Sequence, residues 1–293
     1  MKDKTRIISA ACFVRGLRAA VSPGLFRRKA LGKEGIMFEL FTMSLREYWN
    51  EVGEGANVED SIKELQDVLS DHFGKPISWD EPEIDPAKSD EEIAVDVIDD
   101  RQLSSLHAVA AKLELDGNLN DFEFDPEEPW DAPVFDRLAD ELDDEAADND
   151  IEKFCHLLSI GNSAECIAIP VDLPSVAQIN IDDDDDEHEH HNCDCEDEDC
   201  CCEDDNSIDI ASLQALRREL DAIADAIKID RSIDLDHAEE VAFDDDDIYR
   251  HAKIGWYIMS AKIDEALKAK LPMVMRFVDD DEYDDIDEDA DVE

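Results

Sequence analysis

The chain has 293 residues, of which 81 are acidic and 27 basic, for a net charge of −54, and 43% are hydrophobic. That apolar content suffices for one large or two ordinary domains and excludes a wholly disordered chain. A field of this sign repels nucleic acid and anionic membrane and attracts cations and basic proteins. No run of about 18 apolar residues is present to span a membrane as a helix.

Residues 1–36 reverse the charge. They hold nine Lys or Arg and two acidic residues, a net of +7, so the remaining 257 residues carry −61. Three readings stay open: an organelle transit peptide, an arm that folds back on the acidic body, or a misassigned start with the true start at Met37. In each case the leader stands apart from the core. The body reads as residues 37–181 and 206–278, separated by an insertion at 182–205 and followed by an acidic tail at 279–293.

Phe38–Met43 predicts a strand. Ser44 and Glu47 then form a capping box that opens a short helix through Trp49 and Val52. Val58, Ile62, Leu65, Val68, Leu69 and Phe73 share one helical face, and Gly74 closes that helix. Trp79 sits in a proline-rich loop and is expected to anchor it to the core. Ile93, Val95 and Val97 alternate as a strand, and Leu103, Leu106, Ala110 and Leu113 mark a helix closed near Gly117. "FEFDPEEPW" reads as strand, then turn. Pro133 starts a helix through Leu142, and 151–158 gives a short helix ended by Gly161. "CIAIPVDL" reads as a buried strand, with Pro170 suggesting a sheet edge or a bulge.

Beyond the insertion, Leu213, Leu216, Leu220, Ile223 and Ile227 form a helical seam. Ala252, Trp256, Met259, Ile263 and Leu267 form a second, and 271–278 reads as a last strand. Helices and short strands without a βαβ rhythm make the fold class α+β, a compact mixed domain. The seams of helices 211–228 and 247–269 are expected in the core, with a homodimer through them as the other use.

No phosphate-loop, dinucleotide, nucleophile-elbow or zinc-protease motif occurs. Cys155 and His156 are adjacent, and sequence neighbours on a helix face apart, which argues against a nucleophile–base pair. His107 and His156 lie on apolar faces and read as core histidines. "FDDDDI" at 243–248 lacks calcium-loop spacing and reads as a helix cap. These observations predict no catalytic residue and no cofactor-binding residue.

The insertion "DDDDDEHEHHNCDCEDEDCCCEDD" combines His188, His190, His191, Cys193, Cys195, Cys200, Cys201 and Cys202 with fifteen carboxylates. Imidazole and thiolate suit zinc, nickel or copper. The clustered cysteines resemble metallothioneins in composition, and "HEHH" resembles the histidine-rich runs of nickel and zinc storage proteins. Zinc-finger spacing is absent, so a loose, disordered chelating loop is expected, weakening as pH falls. Cys155 and Cys166 read as buried free thiols, which favours a reducing compartment and a cytoplasmic location, or organelle import if the leader is genuine.

Two functions of different class follow. One is a non-catalytic interaction protein that binds a basic protein partner in an inhibitor, immunity-type or nucleic-acid-mimic role, without binding nucleic acid or membrane itself. The other is metal storage, delivery or sensing through His188–Cys202. A halophile's acidic protein, or an enzyme without a recognisable motif, is the third reading.

Overall fold

The computed structural model describes residues 37–51, 58–82, 94–143, 151, 153–161, 165–180, 207–233 and 247–278. Six strands form one mixed sheet: β1 (Met37–Thr42), β2 (Val95–Asp99), β3 (Glu165–Ile169), β4 (Ala177–Asn180), β5 (Ser207–Ser212) and β6 (Met273–Val278). Their order is β2-β1-β6-β3-β5-β4, and all neighbours are antiparallel except β3 and β5. The helices are α1 (Leu45–Glu51), α2 (Val58–Phe73), α3 (Asp100–Asp116), α4 (Pro133–Asp143), α5 (Cys155–Ser159), α6 (Leu213–Ile227) and α7 (Arg250–Ala269). The α+β reading holds.

Both faces of the sheet are covered, and side-chain alternation sends each strand residue to one of two cores. Phe38, Leu40, Cys166, Ala168, Ala211, Met273 and Met275 meet α3, α6 and α7. Phe41, Ile167, Ile169, Ile210 and Val274 face the other way, onto α1, α2, Ile77 and Trp79. Trp79 therefore anchors its loop as expected. The apolar runs of β3 and β6 follow from this burial on two sides.

The local signals act as written. Ser44 Oγ accepts from the Glu47 N–H, and the Glu47 carboxylate accepts from the Ser44 N–H. Asp99 and Gln102 make the same reciprocal box at α3, and Gly117 closes it at φ 66°. Both predicted seams are internal: Leu213, Leu216, Leu220, Ile223 and Ile227 share a core with Ala252, Trp256, Met259 and Ile263. The Trp256 Nε1–H donates to the Leu220 carbonyl at 2.7 Å and pins α7 on α6. Lys262, almost fully buried, ties α7 to the sheet margin through the Ala94 carbonyl at 3.0 Å and Asp96 at 2.8 Å.

Four sequence expectations change. Phe122–Asp125 is not a strand. Phe122 and Phe124 stack at 5.0 Å and lie beside Tyr249, so aromatic packing rather than sheet pairing explains that apolar pattern. Pro170 is not at a sheet edge: β3 lies between β6 and β5, and Pro170 ends the strand. β4 and β5, which flank the insertion, were hidden by its composition and by the helix that begins directly after Ser212. The helix expected over 151–158 is the single short helix α5. The leader, the insertion 182–205, the tail 279–293, Ile93 and residues 243–246 lie outside the described residues.

Gly255 shows how closely α7 approaches α3. A Cβ there would lie 3.0 Å from Leu106 Cδ1 and 3.1 Å from the Gln102 carbonyl oxygen. Leu106 can turn aside but the Gln102 backbone cannot. Gly255→Val should therefore cost about 2 kcal/mol of folding stability through overpacking. A urea titration that finds the variant as stable as the parent would refute this contact.

Candidate functional site

The described residues carry 35 of the 81 acidic side chains but 17 of the 27 basic ones. The excess acid is thus concentrated elsewhere in the sequence, notably fifteen carboxylates at 182–205 and eleven at 279–293. The sheet register decides where those segments are attached. Asn180 pairs with Ser207, Glu165 with Ile208 and Arg276, and Met37 with Val278 and Asp99. The chain therefore leaves for 181–206, returns from it, and leaves for 279–293 at one end of the sheet's strands. Two acidic segments far apart in sequence are rooted side by side.

The described surface adds its own carboxylates. On α2, the face opposite Ile62, Leu65 and Leu69 exposes Asp60, Glu64, Asp67 and Asp71. At about 1.5 Å per residue these four span about 16 Å, roughly one charge per 5.5 Å. One DNA strand carries one phosphate per about 3.4 Å of axis, so the stripe is sparser than a strand and needs neighbouring carboxylates to match it. A second group, Asp121, Glu123, Asp125, Glu127, Glu128 and Asp131, lies in the turn-rich segment after α3.

Basic side chains are largely consumed within the protein. Every arginine of the described body lies within 4.0 Å of a carboxylate. Arg137 and Lys112 both grip Asp116 and hold its carboxyl down at about 2. Arg101 and Arg250 converge on Glu127. Such exposed pairs add little stability, and each neutralises one carboxylate locally, so the remaining acids carry the net negative field.

All eight predicted metal ligands, His188, His190, His191, Cys193, Cys195, Cys200, Cys201 and Cys202, lie outside the described residues. Among the described residues a different group meets: potential ligand atoms of Cys155, His156 and Glu219 lie within 4.8 Å of one another. Sequence adjacency had placed Cys155 and His156 on different faces, but α5 is only five residues long, and its single turn lets both approach Glu219. Their chemistry is that of a closed polar core. Glu219 accepts the N–H groups of His156 at 3.2 Å and Leu157 at 2.6 Å. His156 Nδ1 accepts from the Ser212 N–H at 3.2 Å, and its ring also bonds the Leu173 carbonyl. Burial pushes His156 down to about 4 and, with the negative charge of Glu219 and Glu114, the Cys155 thiol up to about 12. His156 is the satisfied core histidine that its apolar context predicted; His107 is buried as well. Glu219 escaped notice because it is a lone acid beside a leucine seam, one of many in this chain.

Burial raises Glu219 to about 8 from an ordinary 4.5. The fold then keeps a proton that the unfolded chain has released, so stability declines as pH rises toward 8. His156 has the opposite slope, because its folded value lies below 6.5, but that slope is half gone at pH 6.5 and spent by about pH 7.5, so the larger Glu219 slope sets the sign. The melting temperature should therefore fall from pH 6.5 to about 8.5, and Glu219→Gln should flatten that fall. Parallel thermal scans check this; equal slopes in the two proteins would remove Glu219 as its cause.

No helix among the described residues is long and apolar enough to cross a membrane. No curated protein matches the chain. No solved structure matches it either. A family model does match, over residues 39–275, from β1 through most of β6. This is the span that carries both cores and the roots of the 182–205 insertion. The chain belongs to the family described as "Putative DNA-mimic protein".

Proposed function

We propose that this protein is a non-catalytic decoy. It presents carboxylates to a basic, DNA-binding protein and occupies the surface on which that protein holds phosphates. The observation that carries the reading is the family match over the folded body of a chain with net charge −54. Rooting 182–205 and 279–293 at one end of the sheet supports a directional field. Such a surface steers a cationic partner over long range and repels nucleic acid itself.

The test uses the full chain, immobilised, to capture a partner from its source, followed by duplex DNA as competitor. The captured protein should be released by DNA, and its affinity should drop at least about tenfold between 50 and 200 mM salt, as for phosphate contacts. Simultaneous binding of DNA and this chain, or recovery unchanged up to about 0.5 M salt, defeats the proposal. The combined variant D60N/E64Q/D67N/D71N and a deletion of 182–205 separate the two carboxylate sources. Each should weaken capture and reduce its salt dependence.

The His/Cys run favours a second property, chelation of zinc, nickel or copper through His188–Cys202. Equilibrium dialysis should show metal bound by the full chain, lost on deleting 182–205 and weakened at lower pH. Equal stoichiometry after deletion would end this reading. A homodimer through helices 211–228 and 247–269 would have to use their polar faces, since the apolar seams are internal. The buried free thiols Cys155 and Cys166 favour a reducing, cytoplasmic setting.

A further inference from the structure

A cavity of about 470 Å³ opens between α5, α6 and the loop that follows β3. Its walls include Phe154, Leu173, Pro174, Ala215 and Ala222, and its rim carries Lys75, Lys153 and Arg218. This placement follows from topology. β3 and β5 are the parallel pair of the sheet, and their carboxyl ends lead directly into the 170–176 loop and into α6. In open sheets, ligands bind outside the carboxyl ends of parallel strands. The roots of 182–205 and 279–293 lie at the opposite ends of the strands, whereas the α2 carboxylates come close, Asp71 standing four residues before Lys75.

Its charge is out of character for the chain. Arg218 is paired with Asp172 at 2.7 Å. Lys75 donates only to the Asp172 backbone carbonyl, at 3.4 Å, and neither Lys75 nor Lys153 has a carboxylate within 4.0 Å among the described residues. Around a single concave site, three cations therefore face one ion-paired aspartate and the buried Glu219, whose carboxyl is occupied by two backbone N–H groups. Apolar walls with a few convergent charges are the usual make-up of a small-molecule pocket.

We infer that this cavity is a binding site for a small phosphate-bearing metabolite, held by Lys75, Lys153 and Arg218 with its carbon portion against Phe154, Leu173 and Pro174. A phosphate suits it better than a single carboxylate, because three converging cations match a multiply charged group. Residues 1–36, with a net charge of +7, are the other place that could attract an anion, so binding at the cavity is read from its own lysines.

The experiment is calorimetric titration of the full chain with inorganic pyrophosphate at fixed ionic strength, with succinate as the carboxylate comparison. Pyrophosphate should saturate at one site and succinate should bind at least about tenfold more weakly, in keeping with charge-assisted phosphate contacts. Lys75→Ala with Lys153→Ala should weaken pyrophosphate at least about tenfold, whereas Lys228→Ala with Lys268→Ala, which removes equal charge elsewhere, should not. Bound pyrophosphate should also protect Lys75 and Lys153, but not Lys228, from acylation in the unsubstituted protein. No saturable binding, equal losses in both double variants, equal affinity for succinate, or no selective protection would each overturn the site. None of these outcomes bears on capture of a basic partner, so the two proposals fail separately.

Discussion

Burial of β3 and β6 on both faces is the constraint on which the rest of this structure depends. Cys166 and Ala168 point to one core and Ile167 and Ile169 to the other; Met273 and Met275 oppose Val274 in the same way. Each helical layer is held by its own half of that alternation. Shifting either strand by one residue would exchange the two sets, offering small or flexible side chains to one layer and β-branched ones to the other. The sheet thereby fixes the position of everything that carries charge.

A protein this acidic must keep its own repulsion from opposing compaction. It does so by distribution. The described body has a modest acid excess, with its arginines paired internally, while the richest acidic runs are hung from one end of the sheet. The polar group under α5 is an exception inside the core. Glu219 holds two backbone N–H groups at the start of that short helix, and this bonding is obtained at the expense of a carboxyl shifted to about 8.

The same topology gives the two ends of the sheet different characters. One end roots the leader and two acidic segments; the other opens a cavity rimmed by Lys75 and Lys153, neither of which has a carboxylate within 4.0 Å among the described residues. A decoy for a basic protein and a pocket for a small anion make opposite electrostatic demands. Strands of about six residues set the cavity about 20 Å from the roots of 182–205 and 279–293, while the carboxylate stripe of α2 ends four residues before Lys75.

Several features were legible in the sequence because their causes are local. The Ser44–Glu47 box, the Gly74 and Gly117 helix ends, the leucine seam of α6 and the apolar runs of β1 and β6 each depend on residues within a few positions. The acidic character, and with it the expectation of a basic partner, is a property of composition and needs no fold. Tertiary structure alone decided the rest. It placed β5 beside β3 across the acidic insertion, turned the Phe122 and Phe124 pattern into aromatic packing on Tyr249, and brought Glu219 to Cys155 and His156. It also gathered Lys75, Lys153 and Arg218 around one cavity. These are contacts between residues tens to more than a hundred positions apart, and periodicity within a segment holds no information about which distant segment will face it.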